Sequence, residues 1–394
     1  MAGKRWTLWN WPFFEAAHHE LAARVVAWNA GRREGDGDSL PAQCRATVRG
    51  LGDAGLLAYA VAPPGRAVDL RSICLVREAL TYESALTDAL FAMQGIGTIG
   101  IQLYGSEAQK DQYLEPCRRG LRVAAFALTE PEAGSDVASM ATAAVRDGDG
   151  FIINGRKTLI SNAGFADHYV VIARTGEAPG TRGLSAFIVD ADTPGLAVGP
   201  PIEFIAPHPA APLVFSDCRV PSRALIGQSG QGYPVATAAL DIFRPSVGAA
   251  AVGLARRAMD FALQRVTTRQ VSGKPLADLQ SVRMSLADMA TDIDTAALAV
   301  YRAAWERDVS GLRSSYAASM AKLAGTEAAS RVVDRAVQLC GGLGVTQGSL
   351  IERLYREARP MRIYEGASEV QKLIIARELL RALGPGDDCE GLSA

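Results

Sequence analysis

Near the C-terminus the chain reads RIYEGASEVQKLIIAR, and the acid in its turn-like opening, Glu365, is the side chain best suited to chemistry. A carboxylate just before an amphipathic run has two readings. It can be a solvated acid favouring a helix N-terminus. Buried against an apolar ligand, it becomes a base whose proton affinity is raised by lost hydration. Two further stretches invite a ligand. In AFALTEPEAGSDVASM, Thr129, Glu130, Pro131, Gly134, Ser135 and Asp136 form a polar, glycine-containing turn after an apolar strand. Its N–H groups and hydroxyls could bind an electron-rich ring edge or a phosphate, or the turn could be an ordinary loop. In QLCGGLG, Gln338 stands in the last turn of a helix, with Gly341, Gly342 and Gly344 just beyond. That is either a glycine helix stop or a place where bare backbone approaches a phosphate closely.

Other motifs carry less. GIGTIG at Gly95, Gly97 and Gly100 matches a dinucleotide fingerprint in letters only. No strand precedes it and no βαβ unit surrounds it, so tight helix packing is expected. Ser319 and Lys322 match SxxK without its companion motifs and are read as structural. His18 and His19 have no third ligand and are read as surface or interface residues. The six cysteines, Cys44, Cys74, Cys117, Cys218, Cys340 and Cys389, form no CxxC pair. Neither a zinc site nor a disulfide framework is expected, and the compartment is read as the cytoplasm.

The elements that must position these residues come in three textures. The chain has 394 residues, 48% hydrophobic and 21% charged, with a formal net charge of −1. That gives no basic footprint for nucleic acid, and no signal peptide or membrane span is expected. Residues 1–122 read as a helical domain, with Phe14, Leu21, Val25 and Trp28 on one face and a Ser-x-x-Gln capping pattern at Ser106 and Gln109. Residues 123–226 read as a middle β domain punctuated by Gly and Pro, and Asn154-Gly155 in FIINGRKTLIS predicts a hairpin turn. Residues 227–384 read as a helical bundle. Leu279, Val282, Leu286, Met289, Ile293, Ala296, Val300 and Ala303 make a heptad-like seam there. Residues 385–394 read as a flexible tail. The fold class is α+β, mainly α: an N-terminal helical domain, a β-barrel-like middle and a C-terminal antiparallel four-helix bundle.

In this order, TEPEAGSD, NGRKTLISNAG, RPSVGAAAVGLARRAMD, GGLG and RIYEGASEVQKLIIAR resemble the signatures of the acyl-CoA dehydrogenase family over nearly the whole chain. The resemblance implies FAD. Phe126, Leu128, Thr129, Leu159, Ile160 and Ser161 match positions near the flavin ring. Arg269, Gln280, Gln338, Gly341 and Gly342 match positions that hold the ADP part, largely across a subunit boundary. Ala367 and Glu369 match the remaining flavin contacts. Ser135, Asp241, Arg244, Gly366 and Arg377 match substrate-side positions, and Glu365 matches the catalytic base. Some branches carry the base on the helix of Arg244, but the corresponding residue here is Phe243, which takes no proton.

The resemblance thus implies α,β-dehydrogenation of an acyl-CoA thioester in fatty acid metabolism. Electrons would pass to an electron-transfer flavoprotein, and the chain would form a homotetramer or homodimer. An acyl group on an acyl carrier protein is the alternative substrate, since both carriers present a pantetheine arm. An oxygen-using flavin oxidase or monooxygenase is a further rival, and a non-enzymatic flavin-bound relative the last. The chain departs from the family at Leu159, where tryptophan is usual, at Ser161 for threonine, at Ser272 for phenylalanine and at Ala367, which lacks a hydroxyl. FIAPHPAAPLVF is shorter and richer in proline than usual.

Overall fold

The computed structural model describes residues 11–31, 39–311 and 314–381. The expected tail, 385–394, and Cys389 lie outside them. The helices α1 (Ala16–Gly31), α2 (Leu40–Asp53), α3 (Leu57–Ala60), α4 (Leu70–Glu83), α5 (Ala85–Tyr104) and α6 (Glu107–Arg118) come first. Eight strands follow: β1 (Ala124–Ala127), β2 (Ala143–Asp147), β3 (Gly150–Ser161), β4 (His168–Arg174), β5 (Leu184–Asp190), β6 (Leu196–Val198), β7 (Ala210–Pro221) and β8 (Leu225–Ile226). Then come α7 (Gly232–Thr268), a small hairpin of β9 (Gln270–Val271) and β10 (Lys274–Pro275), α8 (Gln280–Ser310), α9 (Ser315–Cys340), α10 (Leu350–Met361) and α11 (Ser368–Arg381). The order is helical, sheet, helical, as the sequence texture predicts. The chain divides into two compact units, with limits between residues 32 and 33, between 68 and 69, inside α5 after Asp88 and inside α7 after Leu240.

One unit is helical and comprises α1, α4, the first turn of α5, most of α7 and α8 to α11. The predicted seam of α8 is buried at Val282, Met289, Ile293, Ala296, Val300 and Ala303, while Leu279 at its start is exposed. α7 and α9 touch through bare backbone: a Cβ on Gly325 would stand 2.5 Å from the Cα of Gly248. α7 is long and apolar enough to cross a membrane by length and composition, which the sequence reading did not anticipate. Its apolar character comes from a run of alanine, glycine and valine that packs inside this protein, where 89% of the window is buried. His18, expected at the surface or an interface, is buried on α1; its Nδ1 accepts from the Glu15 N–H at 3.1 Å. On α11, Leu373 and Leu380 share the helical period but are exposed.

The other unit holds the sheet, in the order β6-β7-β3-β2-β4-β5-β8, with β1 added in parallel to β4. The capping box at Ser106 and Gln109 is complete and starts α6, and Gly120, at φ +65°, follows its end. GIGTIG lies within α5 and is a packing motif: a Cβ on Gly97 would meet the Ala124 Cβ of β1 at 2.7 Å. The hairpin expected at Asn154-Gly155 is absent. β3 runs straight through as one 12-residue strand, with a register shift against β7 between Ile153 and Gly155. Gly155 sits at φ +147°, and the Thr142 Cα occupies the space a Cβ would need, 2.7 Å away. The Asn154 amide bridges to Asp217 instead of closing a turn. The dipeptide marks a bulge, another use of the same permissive backbone. The hairpin comes one step earlier, where Asp147 pairs with Gly150 and Gly148 takes φ +58°.

Candidate active site

In the helical unit the site is built on the loop 362–367 between α10 and α11. Glu365 and Gly366 take φ +54° and +93°, so the loop reverses there rather than entering the helix. A non-glycine residue in this region carries strain that its surroundings must hold. Four residues from three helices do so. From α7, the Arg244 Nε donates to the Glu365 carbonyl at 3.2 Å. From α9, the Lys322 Nζ donates to the Gly366 carbonyl at 2.9 Å. From α11, the Gln371 Nε2 donates to the Gly366 carbonyl at 2.9 Å and to that of Glu365 at 3.4 Å. Glu327 of α9 accepts from Arg362 Nε at 2.8 Å and from Ser368 Oγ at 2.6 Å, tying the two ends of the loop.

This frame leaves the Glu365 carboxyl without support. Its Oε2 is buried and meets no hydrogen-bond partner among the described residues. Burial raises its pKa, and the charge of Asp88 adds to the rise; the cations Arg77, Lys322 and Arg244 oppose it. Arg77 is itself buried and doubly paired with Asp88 at 2.8 and 2.9 Å, with Ser246 Oγ 2.9 Å from its third nitrogen. Lys322 is held near a pKa of about 8, lowered chiefly by burial. A carboxyl that is short of solvation and ringed by cations is equipped to take up and release a proton.

Around it the structure gathers Asp241 and Arg244, which are buried, with Gly366 and Ala367. Arg377 lies two turns into α11, with its Nε 3.2 Å from Glu378. Glu369 is exposed in the first turn of α11. Arg269 follows the end of α7, Gln280 begins α8, and Gln338, Gly341 and Gly342 close α9. α8 and α9 follow each other in the chain and run back along each other, with Arg335 of α9 bonded to Asp292 of α8. Gln280 and Gln338 therefore sit at the same end. Arg269, Gln280, Gln338, Gly341 and Gly342 are all exposed, and a Cβ on either glycine would meet nothing. Open glycines beside an arginine and two amides suit an anionic, adenylate-like group.

In the sheet unit, the turn after β1 is braced from beneath. Lys157, fully buried on β3, donates from Nζ to Glu130 Oε1 at 2.8 Å and to the Leu128 carbonyl at 3.0 Å. Glu130 also accepts the N–H groups of Ala141 and Thr142 at 2.7 and 2.9 Å. Burial pushes its pKa up, but the hydrogen bonds from Lys157, Thr142 and Ala141 outweigh it and hold the group low. The Thr158 N–H donates to the Thr129 carbonyl at 3.0 Å, locking the turn to β3. Phe126, Leu128 and Thr129 are thus brought beside Leu159, Ile160 and Ser161, while Ser135 is exposed in the turn. Leu159 takes φ +57° and is half exposed, with Ile160 buried beneath the strand. An apolar side chain, hydroxyls and the backbone of a braced turn form a surface a flavin ring fits.

Lys157, Glu327 and Gln371 are not singled out by the sequence. Lys322 is read there only as a structural residue of an SxxK match, and Glu130 only as part of a polar turn. A buried lysine differs from a surface lysine only in its tertiary surroundings, so sequence offered no signal for either. No group of residues able to hold a metal occurs among the described residues.

Three family models match this chain: the N-terminal domain of acyl-CoA dehydrogenase at residues 13–120, the middle domain at 125–218 and the C-terminal domain at 230–380. The mitochondrial short-chain specific acyl-CoA dehydrogenase of Mus musculus is 36% identical over 342 residues, 86% of this chain and 83% of that protein. The structure of butyryl-CoA dehydrogenase from Megasphaera elsdenii matches with a TM-score of 0.87 at 29% identity, covering 93% of this chain and 99% of its own. A glutaryl-CoA dehydrogenase from Mycobacterium smegmatis, in complex with FADH2, matches with a TM-score of 0.86 at 26% identity, over 93% and 95% of the two chains.

Proposed function

The chain belongs to the acyl-CoA dehydrogenase family of flavoprotein oxidoreductases, and from that premise we propose that it uses FAD and Glu365 to convert a saturated acyl-CoA to the trans-2-enoyl thioester. One observation carries the assignment of the base: the buried Oε2 of Glu365, without a hydrogen-bond partner among the described residues, on a loop that three helices hold in place. A thioester α-proton is weakly acidic, and a carboxylate in water is a poor base for it. Glu365 meets that difficulty because burial raises its proton affinity.

The α C–H bond breaks toward Glu365 Oε2, which keeps the proton. The β-hydrogen leaves with its electron pair, and the α–β double bond forms. FAD, when bound, supplies the acceptor for that hydride. The Glu365 N–H enters no hydrogen bond among the described residues, so it is available to donate to the thioester carbonyl as negative charge builds there. Arg244 and Lys322 fix the two carbonyls that follow that N–H, those of Glu365 and Gly366. Their charges, with that of Arg77, moderate the rise in Glu365 pKa. Thr129, Leu159 and Ser161 would face the flavin ring. Arg269, Gln280, Gln338, Gly341 and Gly342, exposed in one chain, would meet the ADP part in a homodimer or homotetramer. Asp241, Arg244 and Arg377 would line the substrate side. Reoxidation would fall to an electron-transfer flavoprotein.

The test is an anaerobic titration of the FAD-loaded protein with saturated acyl-CoA thioesters of increasing length, following loss of the flavin absorbance. The parent should bleach with one chain class, and Glu365→Gln should bind the same thioester without bleaching. A yellow protein that no acyl-CoA bleaches would move the assignment to an acyl carrier protein substrate or to another flavin reaction.

A further inference from the structure

Ser161 ends β3, and its Oγ lies 2.7 Å from Nε2 of His208. His208 belongs to the short proline-rich connection between β6 and β7, where the chain departs from its family. That connection is pinned beside the ring. The Asn162 N–H donates to the Pro209 carbonyl at 2.9 Å, and the Ile202 N–H to the Ala210 carbonyl at 2.8 Å. Phe204 meets the imidazole edge-on, with centroids 5.7 Å apart. Burial lowers the His208 pKa to about 4, so the ring is neutral at neutral pH, with one N–H and one bare nitrogen.

A neutral imidazole beside a hydroxyl has two arrangements. With its proton on Nδ1, the ring accepts the Ser161 O–H, and Oγ turns only lone pairs outward. With its proton on Nε2, the ring donates to Oγ, and the Ser161 O–H is free to donate outward. Either way the serine keeps a partner behind it while offering the opposite sense in front. A flavin asks for both, because its N5 is a bare acceptor when oxidised and carries a hydrogen when reduced. We propose that His208 is a positioning residue that orients the Ser161 hydroxyl, so that Ser161 donates to the oxidised flavin and accepts from the reduced one. The inference rests on the reading of Ser161 as a flavin-facing residue.

The midpoint potential of the FAD-loaded protein tests it, measured for the parent, His208→Leu, His208→Gln and Ser161→Ala alongside FAD content. Leucine fills the space but offers no partner. It should change the ratio of oxidised to reduced flavin affinity by about tenfold, about 30 mV for a two-electron couple, with FAD still bound. Glutamine can donate or accept at similar reach and should restore most of the parent value. In the Ser161→Ala background, His208→Leu should add nothing. A His208→Leu potential equal to the parent's overturns the inference, as does an equal shift with and without Ser161. Should His208→Leu fail to fold, His208→Asn, too short to reach Ser161, must give the same shift, and a parent-like potential there overturns the role. A parent that binds no FAD refutes the functional reading and this inference together; a parent that binds FAD with no shift in any variant refutes only the role of His208.

Discussion

Lys157→Met is the sharpest probe of the brace beneath the β1 turn. Lys157 is fully buried and Glu130 only 6% exposed. The substitution deletes the 2.8 Å ion pair and the 3.0 Å bond to the Leu128 carbonyl together. Removing one partner of a buried pair costs about 3–5 kcal/mol. Glu130 would keep the Ala141 and Thr142 N–H groups, so the loss should sit at the low end, about 3 kcal/mol. Adding Glu130→Gln removes the stranded charge and should recover about half of that loss. Urea unfolding of the sheet unit, followed by circular dichroism, measures both. The FAD dissociation constant should rise about tenfold in the single variant, because Leu128 and Thr129 lose their support. A pH series adds a second readout. Burial lowers the Lys157 pKa to about 8 from 10.5, so between those values the unfolded chain binds more protons than the folded one. Stability attributable to Lys157 should therefore rise across that window, and the rise should be missing in Lys157→Met. The reasoning fails if the single variant loses under about 1 kcal/mol, or if the double variant is no more stable than the single.

Glu365→Gln should abolish flavin bleaching yet raise the thermal midpoint. The folded-state pKa of Glu365 is raised, so its contribution to stability is complete below the unfolded pKa and is lost as pH rises through the folded one. The gain in the glutamine variant should thus be seen at neutral and higher pH and fade in acid, by scanning calorimetry. Bleaching rates of the parent should climb with pH as Glu365 deprotonates, and Lys322→Met should move that profile to higher pH by removing a cation that lowers the Glu365 pKa. The same variant loses the bond to the Gly366 carbonyl, about 1.5–3 kcal/mol by urea unfolding. Gly97→Ala should destabilise by about 1–3 kcal/mol without touching flavin binding, because its Cβ would stand 2.7 Å from Ala124 and 3.0 Å from the Ala125 nitrogen. A dinucleotide role for GIGTIG would instead show as a loss of cofactor with stability intact.

The order of helical, sheet and helical regions was legible in the sequence because local pattern carries it: a period of three and four along α8, and short continuous runs rich in β-branched and aromatic residues in β4 and β5, which are buried on both faces. The capping box at Ser106 was legible for the same reason, since four adjacent residues settle it. Glu365 stood out by its glycine neighbour and by family likeness, but its chemistry is not local. The raised proton affinity comes from burial, and the moderating charges come from α4, α7 and α9, which lie far apart along the chain. Asn154-Gly155 shows the limit from the other side. The dipeptide determined that the backbone could depart from a regular strand, but Thr142 and Asp217, brought alongside by the sheet, decided that it would bulge rather than turn. Nothing in the sequence marks Lys157, Lys322 or His208 for the contacts they make: Lys322 showed only an SxxK match read as structural, and His208 only a place in a proline-rich connection. A lysine is a buried brace or a solvated surface group, and a histidine a hydroxyl's partner or an exposed ring, according to which groups the fold places within 3 Å. Residue type sets what a group can donate, accept or ionise; only the tertiary structure decides its partners and how much water it loses, and those two quantities fix its energy.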